Sequence, residues 1–305
     1  MVKARDWDRT RRQIRNDWMY YAMFAPVLVF VIIFNYVPMV GVSLAFYKFT
    51  PFARKFIGLD NFADLFVGIR APQFWRAFGN TLFYSITNLV LSTILSVTVA
   101  LLLNELVSRK AKGLVQTILY LPHFMSWVVV SSIFTLILSP QVGIVNNVLQ
   151  ELGIEPIYFL AQQKWWTPIY FFIVRWKETG WGTIIYLAAL SGVNPELYEA
   201  AEMDGAGRLR QVFSVTLPAI VTTILIVFIL NLGKVMNIFE SVFVLQNPNV
   251  YNATDVLTTF AYRVGVQQGN YGMGTAIDLF KSFIGLFLVL GTDAINRKIR
   301  GSSVL

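Results

Sequence analysis

The hydrophobic pattern of the chain consists mainly of long stretches without any charged side chain. Four of them exceed the roughly 20 apolar residues that a helix needs to cross a bilayer. They are Trp18–Tyr47, Ala77–Asn104, Gly113–Gln150 and Gln211–Gly233. Two further apolar segments, around Arg175 and Asp278, carry charges. The pattern predicts an all-α, polytopic membrane protein with six transmembrane helices at about residues 20–46, 78–103, 119–138, 166–189, 218–240 and 272–294.

Composition excludes several classes of protein. Of the 305 residues, 56% are hydrophobic and 14% are charged, which is too few charges for a soluble domain. Because the chain has no cysteine and one histidine, His123, disulfides, thiolate metal sites and paired-histidine zinc sites are excluded. No phosphate-binding loop or nucleophile elbow is found. We therefore expect no catalytic residue, metal ligand or cofactor in this chain.

The positive charges indicate the orientation of the spans. With both termini in the cytoplasm, 14 Lys and Arg lie inside and 7 lie outside, as the positive-inside rule requires. The chain then divides into a basic cytoplasmic segment, 1–17, and a six-helix domain, 18–305. The excess of cations in the first outer loop is assigned to amphipathic helix in the patches LDNFADLF and FWRAF. Because the net charge of +8 is spread over membrane flanks, no nucleic-acid partner is expected.

The cytoplasmic loop between the fourth and fifth spans, 191–217, is too long and too patterned to be a simple connector. Pro195 is suited to open a helix, and the glutamates after it favour the first turns. Gly205 and Gly207 then interrupt that helix before Arg208. The loop is predicted to form a short helix, a turn and a second helix.

Within this loop the residues match a family pattern. Glu199-Ala200-Ala201, three residues, Gly205, nine residues, Val215, one residue and Leu217-Pro218 resemble the EAA signature of permease subunits in binding-protein-dependent ATP-binding-cassette importers. Valine in place of isoleucine is the one departure. The head and the last third of the chain are similar to the maltose-permease-related branch that handles complex oligosaccharides. The resemblance implies the type I importer permease fold.

The resemblance also implies partners and roles. The short helix would dock on the ATPase, which assigns coupling to the ATPase to Glu199, Ala200, Ala201, Asp204 and Gly205. The implied partners are a second homologous permease, a dimer of ATPases that hold ATP and Mg, an extracellular or periplasmic solute-binding protein, an oligosaccharide and the lipid bilayer. The implied location is the bacterial cytoplasmic (inner) membrane.

Polar residues within the spans are candidates for a substrate path, because charged groups in lipid are costly. Asn231, Lys234 and Asn237 recur every three residues and are predicted to share a broad helical face. The complete candidate set is Asn231, Lys234, Asn237, Lys177, Trp176, Asp278 and Lys281. Lys234 has no acidic residue at helical spacing. It therefore supports the hypothesis that the cargo is acidic and contains uronates, such as alginate or pectin fragments.

Other interpretations remain open at the level of sequence. Asp278 with Lys281, and Arg175 with Glu178, have the spacing of pairs that neutralise one another within a helix. Trp176, beside a predicted break in the fourth span, suits a sugar platform or an interfacial anchor about equally. An ion-coupled secondary transporter would use Asp278, Glu178 or Glu240 as its ion site. A membrane-embedded enzyme would need a cluster of catalytic groups that the sequence does not supply.

Overall fold

The computed structural model describes residue 13 and residues 15–50 and 53–300, and this part of the chain is largely helical. The helices are α1 Trp18–Val31, α2 Asp60–Val67, α3 Ala71–Asn104, α4 Arg109–Tyr120, α5 Trp127–Ile137, α6 Ile144–Glu151, α7 Gln163–Ser191, α8 Glu196–Met203, α9 Arg208–Gln211, α10 Leu217–Leu232, α11 Glu240–Leu245, α12 Tyr251–Thr254, α13 Leu257–Tyr262 and α14 Tyr271–Arg300. One antiparallel hairpin, β1 Tyr47–Thr50 with β2 Ala53–Phe56, departs from the all-α prediction. The predicted basic segment 1–17 lies almost entirely outside the described residues.

Four helical segments are long and apolar enough to cross a membrane, and a fifth is obtained if a bent pair counts as one span. The four are Trp18–Phe46, Ala71–Asn104, Arg208–Leu232 and Tyr271–Ala294. Helix α7 has 29 residues, which is sufficient length, but it carries charges near its middle. The polytopic helical architecture is therefore confirmed. Six spans were predicted, whereas length and composition identify four or five within the described residues.

The first span remains helical through both of its prolines. Pro26 lies inside α1, and the chain then winds as a π-helix over Ile32–Tyr36 and as a 3-10 helix over Val37–Phe46. Proline has no N–H to donate and its ring crowds the preceding turn. The change of winding just before Pro38 is consistent with that constraint. The helical winding thus changes near Pro38, and the segment continues.

The third span is broken instead of continuous. Helices α4 and α5 are joined by a 3-10 turn, Leu121–Phe124, and their axes differ by 100°. Pro122 occupies this turn, and the Ser126 hydroxyl then accepts a hydrogen bond from the Val129 N–H at 3.3 Å to cap α5. The predicted boundary at residue 119 therefore falls just before a bend. The short helix α6 follows in the loop after α5.

Helix α7 is continuous, which corrects the predicted interruption at its glycines. A Cβ atom on Gly180 would lie 2.0 Å from the Leu119 carbonyl oxygen, and one on Gly182 would lie 2.4 Å from the Ser96 hydroxyl oxygen. These glycines therefore allow neighbouring segments to approach closely and do not break the helix. The first half of α7 is held by buried aromatic rings, among them Trp166 stacked on Tyr170 at 5.0 Å between ring centroids.

The fifth span ends earlier than predicted, and the outer segments are more structured. Helix α10 ends at Leu232, and the chain turns through residues 233–239 before α11. In the segment between the first and second spans, α2 is the amphipathic helix expected from LDNFADLF. The FWRAF patch forms the beginning of α3, where a proline occupies the first turn. The main consequence is that Lys234 lies in a non-helical turn between helices.

Candidate coupling segment and central cavity

The loop predicted to couple to an ATPase folds as a short helix and a sharp reversal. Helix α8 follows Pro195, and the Ala206 N–H donates to the Ala201 carbonyl at 2.9 Å to close its last turn. Gly205 at this reversal has φ +76°, in the left-handed region that favours glycine. The backbone conformation at this position therefore explains why the signature has a glycine here. The predicted helix and turn are both present.

The coupling segment, defined as residues 194–211, is highly exposed. No residue of α8 is buried, and the side chains of Glu199, Ala200 and Asp204 are exposed. Large apolar side chains are exposed beside them: Leu197 (50%), Met203 (88%), Leu209 (77%) and Phe213 (69%). An exposed apolar patch next to acidic groups is typical of a protein interface.

The coupling segment is tied to a membrane span. Tyr198 Oη lies 3.2 Å from Thr216 Oγ1, and Gln211 Nε2 donates to the Ala206 carbonyl at 3.0 Å. Helix α9 continues without interruption into α10, so that residues 208–232 form one helical segment. Short polar contacts and continuous helix therefore connect α8 to this span.

A cavity of about 260 Å³ lies between α3, α7 and the end of α10. We call it the central cavity; it is lined by Ser85, Asn88, Leu89, Ser92, Arg175, Glu178, Asn231, Lys234, Val235 and Ile238. Asn231 and Lys234 are the members of the predicted path that the structure brings together here. Lys234 is positioned by the turn after α10, where its N–H donates to the Asn231 carbonyl at 3.0 Å.

The other predicted path residues of α7 lie elsewhere. Lys177 is 4% exposed, and its Nζ donates to the His123 carbonyl at 2.6 Å and pairs with Glu178 at 3.3 Å. Glu178 in turn lies 2.8 Å from His123 Nδ1. These contacts join α7 to the bend between α4 and α5. Trp176 is 40% exposed and packs against the ring of Phe134, 5.4 Å between centroids.

The polar residues predicted for the sixth span occupy separate places. Asp278 and Lys281 form the ion pair that their spacing predicts, at 3.0 Å. Lys281 and Asn237 line one cavity, and Asp278 lines another. The predicted path residues are therefore distributed over several cavities, and their assignment to a single path remains a prediction.

Arg175 lines the central cavity although it was not among the predicted path residues. The pair of Arg175 with Glu178, which the sequence left open, is not formed; Glu178 is engaged with His123 and Lys177. Arg175 Nη2 instead donates to Asn88 Oδ1 at 3.1 Å. A signal was present in the sequence, since Ser85, Asn88 and Ser92 recur at helical spacing along one face of α3.

A second polar cavity, of about 250 Å³, lies at the predicted outer end of the molecule. Arg76 Nη1 donates to Asn252 Oδ1 at 2.5 Å, and Arg263 pairs with Asp255. Burial raises the pKa of Asp255 above its ordinary value, although the Arg263 charge opposes that shift. Within the described residues, no group of three or more His, Cys, Asp or Glu is arranged to hold a metal ion.

Comparison with known proteins defines the class. Residues 92–301 match the family model for the inner membrane component of binding-protein-dependent transport systems. Protein LplB of Bacillus subtilis (strain 168) is 39% identical over 93% of this chain and 90% of the relative. The polygalacturonan/rhamnogalacturonan transport system permease protein YteP of the same organism is 40% identical, covering 91% of this chain and 87% of the relative.

Solved structures agree with this result. A chain of a bacterial ABC transporter involved in the import of the acidic polysaccharide alginate has a TM-score of 0.88 and 39% identity, and the match covers 96% of this chain and 99% of that one. A chain of a bacterial alginate ABC transporter, in complex with an alginate pentasaccharide-bound periplasmic protein, has a TM-score of 0.87 and 38% identity. The fold and the helical domain are thus those of an ABC importer permease, a transport subunit and not an enzyme. The chain belongs to the family of inner membrane components of binding-protein-dependent transport systems.

Proposed function

We propose that this chain imports oligosaccharides delivered by an extracellular or periplasmic solute-binding protein, in an assembly with a second homologous permease and a dimer of ATPases. ATP and Mg²⁺ are held by the ATPase subunits. The proposal is supported by relatives whose names specify polygalacturonan/rhamnogalacturonan and alginate transport. Both termini of the chain are placed on the cytoplasmic side of the bacterial inner membrane.

The observation that carries the proposal is the coupling segment. An exposed helix with apolar and acidic side chains, joined through a reversal to the helical segment 208–232, is suited to receive force from a separate protein. Glu199 supplies a charge for a basic partner group, and small Ala200 and Ala201 permit close approach. Asp204 and Gly205 form the reversal that presents the helix. Closure of the ATPases would then be transmitted through residues 208–232 and would alternate access to the central cavity.

A second permease is supported by the first span. The apolar stretch of Trp18–Phe46 has none of its residues buried in its most hydrophobic window. Such a surface suits lipid and the face of another membrane subunit. The cavities described above are separate and small, and a path wide enough for a saccharide is therefore expected at the contact of two permeases.

The test is transport in proteoliposomes that contain this chain, the second permease and the ATPases, with the binding protein and a radiolabelled oligosaccharide outside. ATP enclosed in the vesicles is expected to drive uptake, and the binding protein is expected to be required. Uptake that follows a proton or sodium gradient without ATP would contradict the proposal. That result would favour the alternative of an ion-coupled secondary transporter.

A further inference from the structure

The guanidinium of Arg175 is incompletely paired inside the protein. Nη2 donates to Asn88, whereas Nε and Nη1 are buried and have no hydrogen-bond partner among the described residues. Arginine stays charged at every physiological pH and cannot escape this burial by losing a proton. Buried N–H groups of a charged side chain are costly unless they find an acceptor. Within the described residues, two donors of Arg175 therefore lack an acceptor.

The carboxylate that might satisfy Arg175 is already engaged. Glu178 also lines the central cavity, but Oε2 lies 2.8 Å from His123 Nδ1 and Oε1 lies 3.3 Å from Lys177 Nζ. One oxygen thus has its partner on the bend between α4 and α5, and the other has its partner on α7 itself. Arg175 forms no salt bridge within 4.0 Å in the described part of the chain.

Two more polar groups line the same cavity, the exposed cation of Lys234 and the buried hydroxyl of Ser85. Lys234 enters from the end of α10, and no salt bridge of its Nζ is found within the described residues. Ser85 on α3 is 2% exposed, and its hydroxyl has no hydrogen-bond partner in the same part of the chain. Three elements far apart in sequence therefore bring two cations and one unpaired hydroxyl to one space of about 260 Å³.

Hydrogen bonds within the protein hold Arg175 in position before any ligand binds. Asn88 accepts from Arg175 with Oδ1 and donates with Nδ2 to Tyr170 Oη at 3.3 Å, and Tyr170 Oη lies 3.2 Å from Ser241 Oγ. This chain of hydrogen bonds holds one edge of the guanidinium and leaves the other donors free. Arginine presents its donors in a planar fork that matches a carboxylate.

We propose that the central cavity binds a carboxylate group of the transported saccharide, with Arg175 as its main partner and Lys234 as the second positive charge. The inference deepens the proposed function and rests on it, since it assigns the substrate to acidic oligosaccharides. Ser85 supplies a hydroxyl to the same ligand. Neutral saccharides leave both cations unpaired and therefore bind more weakly.

The test is direct binding to the assembled transporter in lipid nanodiscs, without the binding protein, so that only the membrane subunits select the ligand. The ligands are trigalacturonate and its methyl ester, which have the same ring skeleton and differ in charge. Wild-type transporter is expected to bind the acid at least about tenfold more tightly, as for one charge-assisted interaction. Equal binding of the two ligands by the wild type, or binding of neither, would overturn the inference.

Variants assign the preference to the cavity. Arg175→Gln is expected to reduce the ratio of acid to ester affinity to near one, Lys234→Gln to reduce it partly, and Arg175→Lys to retain part of it. Lys164→Gln is the matched control, because Lys164 is an exposed cation on the same helix and outside the cavity. A preference that survives both Arg175→Gln and Lys234→Gln would overturn the assignment.

A second measurement distinguishes failure of this inference from failure of the proposed function. ATP hydrolysis by the same nanodiscs, and its stimulation by the loaded binding protein, report on the proposed function. Normal stimulation together with equal binding of acid and ester by the wild type overturns the carboxylate site alone. A carboxylate from the partner permease that fills the cavity would give this result.

Discussion

The coupling segment and the central cavity differ in how their residues are brought together. The coupling segment is local: residues 194–211 form a helix and a reversal, and every feature lies within one short stretch. The central cavity takes Ser85 and Asn88 from α3, Arg175 from α7 and Lys234 from the turn after α10. A local motif can be recognised from the spacing of residues in the sequence, whereas a cavity depends on which helices pack against one another. The difference also predicts separate consequences of mutation, on motor coupling in one region and on ligand choice in the other.

The largest effect is expected from Glu199→Arg in the coupling segment. Reversal of an exposed charge at the proposed contact is expected to lower the amount of copurified ATPase, and the stimulated ATP hydrolysis, by at least about tenfold. Binding of trigalacturonate to the assembled fraction is expected to stay unchanged. Both are measured on the affinity-purified complex.

Glu151→Arg provides the control for this change. Glu151 is an exposed acidic residue at the end of α6, on the predicted outer side. The control is expected to retain the ATPase and its stimulated activity. Equal loss in the two variants, or no loss in Glu199→Arg, would remove the special role of the coupling segment.

An intermediate effect is expected from Asn88→Ala. This change removes the acceptor for Arg175 and the donor to Tyr170, and leaves more buried polar groups without partners. A loss of about 2 kcal/mol of stability is expected, visible as a lower thermal unfolding midpoint. Asn147→Ala, at an exposed position on α6, should unfold at the wild-type temperature. Asn88→Ala should still assemble with the ATPase. Loss of that assembly would show that the central cavity and the coupling segment are not independent.

The smallest effect is expected from Gly205→Ala. A Cβ atom here has open space around it, but φ +76° is unfavourable for alanine by about 1 kcal/mol. Gly58→Ala is the matched control, since Gly58 also has positive φ, 60°, and open space, but lies in the outer segment. Both variants should lower the unfolding temperature slightly. Only Gly205→Ala is expected to reduce stimulated ATP hydrolysis, and an equal reduction in both would attribute the effect to strain alone.

The sequence predicted the local features of the fold well and the breaks in its helices poorly. Long uncharged stretches located the apolar helices, and the EAA signature located α8 and its reversal at Gly205. The glycines of α7 were interpreted as a break, because their spacing does not reveal that Leu119 and Ser96 pack against them. The turn after Leu232 and the bend at Pro122 likewise depend on packing that the local pattern does not contain.

The candidate cavity was predicted only in part. The missing acidic neighbour of Lys234 predicted an unpaired cation, and Lys234 forms no salt bridge among the described residues. The spacing of Arg175 and Glu178 left open a pair within one helix, and it carries no information about His123, which lies on another segment. The choice is made by α4 and α5, which bring His123 to Glu178. Contacts between segments more than 50 residues apart cannot be read from spacing within a helix.

The most direct test of the central claim uses the absence of cysteine from the chain. Single variants Ala200→Cys and Gln150→Cys place one thiol on α8 and one on the predicted outer face, and each is treated with a short bifunctional crosslinker in membranes that contain the whole transporter. Crosslinking of Ala200→Cys to an ATPase subunit, with none from Gln150→Cys, is the predicted result. Labelling of Ala200→Cys by a membrane-impermeant thiol reagent from the outside, with no crosslink to the ATPase, would contradict the claim.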